Sequence, residues 1–268
     1  MKSFALFPAG ALWTSQTQLL LSAHSQFDYL PWTKGARVIK TDANGLIAVD
    51  KPFGILSHPN SKSDRVKGLL RLDYDAKEQA YILPDDQDNG HHQQIYLLNR
   101  LDSATSGILL LSASLETRDA VLKAFEERRV TKLYRALVFG ILDRKGREIL
   151  WKDRLKVAKF GKAVRAQAGS GKSAETELVF ARTIPGSPIT SLLELKPLTG
   201  RTHQLRVQCA KRRLPIVGDR TYGDFQKNRL YARVTGIKRL CLHSSETKLE
   251  YTLGGKVFRF RAVSEPPF

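Results

Sequence analysis

The segment Leu98-Asn99-Arg100-Leu101-Asp102-Ser103-Ala104-Thr105-Ser106-Gly107 constrains this chain most. It runs directly into the apolar stretch Ile108-Leu109-Leu110-Leu111. Four consecutive aliphatic residues after a turn-prone cluster read as a strand buried on both faces. Asp102 then lies in a loop at the mouth of that strand. Loops held at the ends of buried strands are where reactive groups are placed. The chain offers no competing thiol, metal or nucleotide pattern of comparable strength, so Asp102 is the first candidate for chemistry.

Composition narrows the partner. The chain has 268 residues, with 44 Lys and Arg against 26 Asp and Glu and a formal net charge of +18. Such an excess is the footprint of a protein that binds a polyanion. A membrane is not expected, because no apolar stretch approaches the ~20 residues of a spanning helix. The opening Met1–Ala11 carries one Lys and is interrupted by Pro8, which argues against an export signal. Cys209 and Cys241 cannot build a disulfide framework and suit a reduced, cytoplasmic protein.

Along the chain, Leu46–Asp50 reads as a strand ended by the turn Lys51-Pro52-Phe53-Gly54. Residues 60–94 are polar with little periodicity, and Asp85–Gly90 is an obvious loop. The apolar strand spans 107–113. Ser114 is placed to cap a helix whose first turn carries Glu116 and whose core face carries Val121 and Phe125. Strands are expected at 134–139, 176–182, 190–196 and 256–262, and a short helix at about 202–212. Residues 143–174 read as a loop-rich, basic region. Residues 1–44 are expected to be an N-terminal extension packed on a main domain of 45–268. Strands with interspersed helices imply a mixed α+β fold.

Other candidates are weaker. His91 and His92 are adjacent in a polar loop without zinc-ligand spacing, so no metal is expected. Gly169-Ser170-Gly171-Lys172-Ser173 lacks the first glycine and the preceding strand of a phosphate-binding loop. Arg201 sits at a strand-to-helix junction, suited to holding an anion or a carboxylate, although taken alone it reads as a phosphate-contacting or surface arginine. His203 alone reads as a capping or packing residue, and Tyr134 as a strand aromatic.

Taken in order, Arg100-Leu101-Asp102 with Thr105-Ser106-Gly107, then Lys132-Leu133-Tyr134, then Thr199-Gly200-Arg201-Thr202-His203-Gln204-Leu205-Arg206 resemble the RluA-like family of RNA pseudouridine synthases. Asp50–Gly54 with His58-Pro59, Pro215–Gly223 and Leu240–His243 add flanking matches, so the resemblance covers about residues 45 to 262. Each block is modestly specific, but the ordered set is not. Asn99 departs from it, since the family usually has His before the Arg-Leu-Asp triplet.

The resemblance implies a mainly antiparallel sheet with flanking helices and an active cleft across it. It implies isomerisation of uridine to pseudouridine in structured RNA, ribosomal or transfer, without cofactor or metal, by a chain expected to be monomeric. In that scheme Asp102 is the essential residue, Arg201 pairs with it, and Tyr134 stacks on the base. Leu205 packs on the uracil, and Arg100 fills the space of the flipped nucleotide. The run Lys211-Arg212-Arg213 and residues 144–172 would hold phosphates. The rival reading is a non-catalytic RNA-binding or ribosome-assembly protein that retained the fold. A metal-assisted hydrolase using Asp102 and His203 lacks a second carboxylate.

Overall fold

The computed structural model describes residues 27–84, 93–142, 149–160 and 163–268. The first half of the chain forms β1 (Arg37–Thr41), β2 (Leu46–Lys51), a 3-10 turn (Lys62–Lys67), β3 (Asp73–Asp75), β4 (Ala80–Ile82), β5 (Gln94–Leu97), β6 (Ser106–Ser112), α1 (Leu115–Glu126) and β7 (Val130–Phe139). The second half forms β8 (Leu150–Phe160), β9 (Ala163–Ala168), β10 (Lys172–Ile184), β11 (Thr190–Pro197), α2 (Gln204–Lys211), α3 (Phe225–Thr235), β12 (Leu242–Leu253) and β13 (Lys256–Val263).

Among the described residues these strands join one sheet in the order β3-β4-β5-β6-β12-β7-β11-β10-β8-β9. Off this path, β1 pairs with β2, β2 attaches to β6, and β13 attaches to β12. The pairing is antiparallel except between β6 and β12, where His243 faces Ser106 and Ser244 faces Gly107. The expected α+β class with a mainly antiparallel sheet is therefore the observed one. No described helix is long and apolar enough to cross a membrane.

The aliphatic run in β6 is buried on both faces, as its composition requires. Ile108 and Leu110 pack with Leu46, Ala48 and Val121 on the α1 side. Leu109 and Leu111 join Ile47, Val49 and Ile95 on the other. The helix expected after Ser114 is α1, and the Ser114 side chain accepts the Thr117 N–H. Gly107 has φ +107°, and a Cβ there would collide with the Ser244 backbone. The β6–β12 contact thus depends on glycine at this position.

Several expectations need correction. Residues 143–174 are not mainly loop: β8, β9 and the start of β10 occupy most of the stretch. In β8 Trp151, Asp153 and Leu155 are buried while Lys152, Arg154 and Lys156 are exposed. That period-2 alternation is the pattern of a half-buried strand, and its basic residues are the solvent face. The Gly-Lys-Ser tripeptide falls in the β9–β10 turn and the start of β10. The polar stretch 60–94 contains β3, β4 and the start of β5, with Leu69, Leu70 and Tyr81 fully buried. Both α3 and β12 were absent from the expected elements. Asp85–Gly90, His91 and His92, and residues 1–26 of the expected extension lie outside the described residues. Of the rest of 1–44, Phe27 and Leu30 are buried in the core, and β1 pairs with β2.

Candidate active site

Asp102 stands in the loop between β5 and β6, and several bonds fix that loop. The Ser57 hydroxyl donates to Leu101 O at 2.8 Å and accepts Leu101 N–H at 3.0 Å. Gly54 N–H reaches Ser103 O at 2.8 Å, and Thr105 N–H turns back to Asp102 O at 3.0 Å. Lys51 is fully buried beneath the loop, with Nζ donating to Pro52 O, Ile55 O and Ser103 O at 3.0, 2.8 and 3.3 Å. Burial pushes its ammonium down to about 7, opposed by the charge of Asp102.

The guanidinium that meets Asp102 belongs to Arg206, with Nη1 at 3.3 Å from Oδ2. Arg201, the expected partner, instead donates Nε to Ser173 O at 2.9 Å. The local backbone explains the exchange. His203 adopts φ +54°, ψ +20° and α2 starts only at Gln204. Gln204 Oε1 accepts Arg201 N–H at 3.0 Å and the Thr199 hydroxyl at 2.8 Å, so it pins the turn ahead of the helix. Arg201 is thereby left on the exposed turn, while Arg206 leaves the first turn of α2 toward the Asp102 loop.

Arg206 is itself held from behind. Its Nε and Nη2 donate to the two oxygens of Asp219, each at 2.8 Å. Asp219 also accepts the N–H groups of Thr221 and Tyr222 at 2.8 and 3.0 Å and is almost fully buried. Burial opposes the Arg206 charge, but Asp219 and Asp102 more than offset it and raise its pKa. Burial likewise pushes against the Asp219 carboxylate, and the Arg206 fork holds its pKa below the ordinary range. Arg206 is therefore a fixed cation shared by two carboxylates.

His203 completes the cluster, with Nε2 at 3.7 Å from Asp102 Oδ2 and Nδ1 at 2.8 Å from the Tyr222 hydroxyl. The Tyr222 oxygen accepts Ala166 N–H at 2.8 Å. Its proton is then free to donate to Nδ1, which leaves the Nε2 proton facing Asp102. Burial, opposed by Asp102, lowers the imidazole pKa below 6.5 and favours this neutral form.

A cavity of about 730 Å³ opens over Asp102. Arg100, Tyr134, Arg201 and Leu205 line it, as do His203 and Arg206. Tyr134 and Leu205 are buried side chains on its apolar side, and Arg100 is exposed. Burial, with the Asp102 charge adding, pushes the Tyr134 phenol up to about 12. Among the described residues Asp102 is the only carboxylate lining the cavity. Asn99 takes a structural part, its Oδ1 accepting Leu110 N–H at 2.9 Å. Lys211 and Arg212 do not face this cavity. They grip the buried Asp153 at 2.5 and 2.8 Å. No described group of His, Cys, Asp or Glu is arranged to hold a metal.

Three residues that complete the site, Arg206, Asp219 and Lys51, do not stand out in the sequence, whereas His203 meets Asp102 as in the hydrolase reading, here without a second carboxylate. The motifs containing them were visible, but nothing in their spacing separates Arg206 from Arg201.

Comparison with known proteins fits this geometry. A family model described as RNA pseudouridylate synthase matches residues 45–211. The tRNA pseudouridine synthase C of Yersinia pestis is 33% identical over 231 residues, covering 83% of this chain and 84% of that protein. The tRNA pseudouridine synthase C of Vibrio cholerae is 34% identical over 211 residues, covering 76% of this chain and 81% of that protein. The solved structure of human RNA Pseudouridylate Synthase Domain Containing 1 has the same fold, with a TM-score of 0.59 and 22% identity over 88% of this chain and 85% of that one.

Proposed function

The chain belongs to the RNA pseudouridylate synthase family, and from that premise we propose that it converts uridine to pseudouridine in transfer RNA, with Asp102 as the reacting group. The observation that carries the assignment to Asp102 is that, among the described residues, it is the one carboxylate lining the cavity, and a buried guanidinium orients it. The transfer-RNA substrate follows the names of the bacterial relatives. The enzyme is read as a cytoplasmic monomer that needs no cofactor.

The chemistry asks one group to cleave the glycosidic bond. Either an Asp102 oxygen bonds to ribose C1′ while the C1′–N1 pair leaves on the uracil, or it takes the C2′ proton as that same bond breaks. The uracil turns and C5 joins C1′, either displacing the Asp102 oxygen from C1′ in the first route or as Asp102 returns its proton to C2′ in the second. The proton at C5 is lost, N1 gains one, and the product is an isomer of the substrate. In both routes the negative charge leaves Asp102 during the reaction. Arg206 is not stranded as a buried lone cation, because Asp219 stays paired with it. Tyr134 stacks on the base, Leu205 closes the apolar side, and Arg100 takes the space of the flipped nucleotide.

Transfer RNA labelled with tritium at uridine C5 tests the reading. The wild-type protein should release tritium with chelator present and no nucleotide added, and Asp102→Asn should fall to background while still binding RNA. Full release by Asp102→Asn would overturn the assignment. A non-catalytic RNA-binding protein would release none in either form.

A further inference from the structure

Residues 60–83 carry none of the motifs named above, yet the structure ties them to the Asp102 loop. Tyr81 is fully buried in β4, and its hydroxyl donates to Ser57 O at 2.5 Å. Ser57 is the residue whose hydroxyl holds Leu101 on both sides. Tyr74 of β3 packs edge-on against Tyr81, with ring centroids 5.1 Å apart. On its other side Tyr74 stacks flat on His58, with centroids 4.5 Å apart and planes 11° from parallel. His58 Nδ1 lies 2.9 Å from Pro59 O, which fixes the imidazole plane. His58 lines the cavity over Asp102 beside Arg100 and Asn60, and neither His58 nor Tyr74 is fully buried.

The uridine mechanism uses none of these rings. A flat, rigidly backed ring at the rim of a basic cavity is a surface on which an unstacked base can lie. We propose that His58, backed by Tyr74, is a stacking platform for the base of a nucleotide adjacent to the target uridine. This rests on the pseudouridine synthase reading and adds a second base-binding position to it. Flipping the uridine breaks its stacking with its neighbours. A platform held at a fixed distance from Asp102 replaces that stacking for one neighbour, and so favours the flipped arrangement.

The test is a binding and turnover cycle. The probes are an unmodified transfer RNA transcript that the wild-type enzyme converts, and the same transcript with an abasic nucleotide on one or other side of the converted uridine. His58→Ala should weaken binding and raise KM about 5- to 150-fold, the range of one stacked base. His58→Phe, which keeps the ring, should stay within about threefold of wild type on that scale. On the correct side the abasic nucleotide should cost the wild type as much as His58→Ala does, and the two together should cost no more than either alone. The salt dependence of binding should keep its slope in His58→Ala, since no phosphate contact is lost. Additive losses on both sides of the uridine, or a Phe variant as weak as the Ala variant, would overturn the platform. If His58→Ala does not accumulate, Tyr74→Ala carries the same cycle. A loss cancelled by the abasic nucleotide supports the proposal, and an additive one overturns it. Should the wild type convert no uridine in transfer RNA, the substrate reading fails, while the binding cycle with the abasic position moved along the transcript still decides the platform.

Discussion

At the scale of single residues, charge at the site is arranged so that one carboxylate can change and the rest cannot. Arg206 binds Asp219 through two hydrogen bonds and Asp102 through one. A lysine offers no planar fork, so Arg206→Lys should keep RNA binding and lower kcat about 10–100-fold, the size of a small misplacement. Asp219→Ala removes two of the three charge-assisted bonds of a buried guanidinium, leaves it only the longer contact to Asp102 and should cost about 3 kcal/mol in urea unfolding. Lys51 gives a pH signature. Its ammonium titrates at 10.5 when unfolded and at about 7 when folded. Between those values the unfolded chain holds the extra proton, so stability gained from this group rises with pH. Relative to Lys51→Met, the wild type should therefore gain stability from pH 7 to pH 9.5. An unchanged difference would show that Lys51 stays charged in the fold. The place of Asp102 in a loop at the mouth of a buried strand was legible in sequence, because the aliphatic run of β6 follows it directly. Arg206 was not, because only the left-handed turn at His203 decides which arginine of the motif faces inward.

At the scale of elements, legibility followed periodicity and caps. The strand at β6 and the helix at α1 announced themselves through an unbroken aliphatic run and through Ser114. The signals for α3 were equally present: Asp224 caps it, accepting Gln226 and Lys227 N–H, and Gly236 ends it at φ +76°. They do not stand out because α3 buries no residue fully and so shows no core stripe. In β8 the density of Lys and Arg hid an alternation that the structure makes plain. β12 lies between β7 on one edge and β6 then β13 on the other, so it depends on contacts distant in sequence. Its crossing with β6 carries the sharpest prediction at this scale. Gly107→Ala adds a side chain at φ +107°, where Ser244 leaves no room. It should cost about 2–3 kcal/mol or more in urea unfolding. It should also depress turnover, because Ser106 and Gly107 carry the Asp102 loop into the sheet. A variant as stable as wild type would mean that β6 and β12 separate without penalty.

For the whole molecule, the question is where a net charge of +18 meets RNA. The run Lys211-Arg212-Arg213 looks in sequence like a phosphate clamp, but the fold gives two of its members an internal duty. Asp153 is buried, and burial pushes its carboxyl up, yet hydrogen bonds from Lys211, Arg212 and Gln208 hold it below the usual range. Arg212 also lies over the Trp151 ring, 4.6 Å from its centroid. Removing both cations leaves a buried carboxylate uncompensated. Lys211→Ala with Arg212→Ala should therefore cost about 3 kcal/mol of stability, while the salt dependence of RNA binding barely changes. The other face of β8 behaves in the opposite way. Lys152, Arg154 and Lys156 alternate on its exposed side at the ~6.6–6.8 Å same-face spacing of a strand, so three successive cations can each meet a phosphate. Replacing all three by Ala should leave the urea midpoint near that of wild type and flatten the log–log salt slope by about 2–3, since each phosphate contact contributes about 0.7–0.9. Target and non-target RNA should lose affinity alike, because phosphate contacts carry no sequence. A flattened slope in the Lys211 and Arg212 pair with an intact slope in the β8 triple would reverse the assignment and place the RNA track on α2.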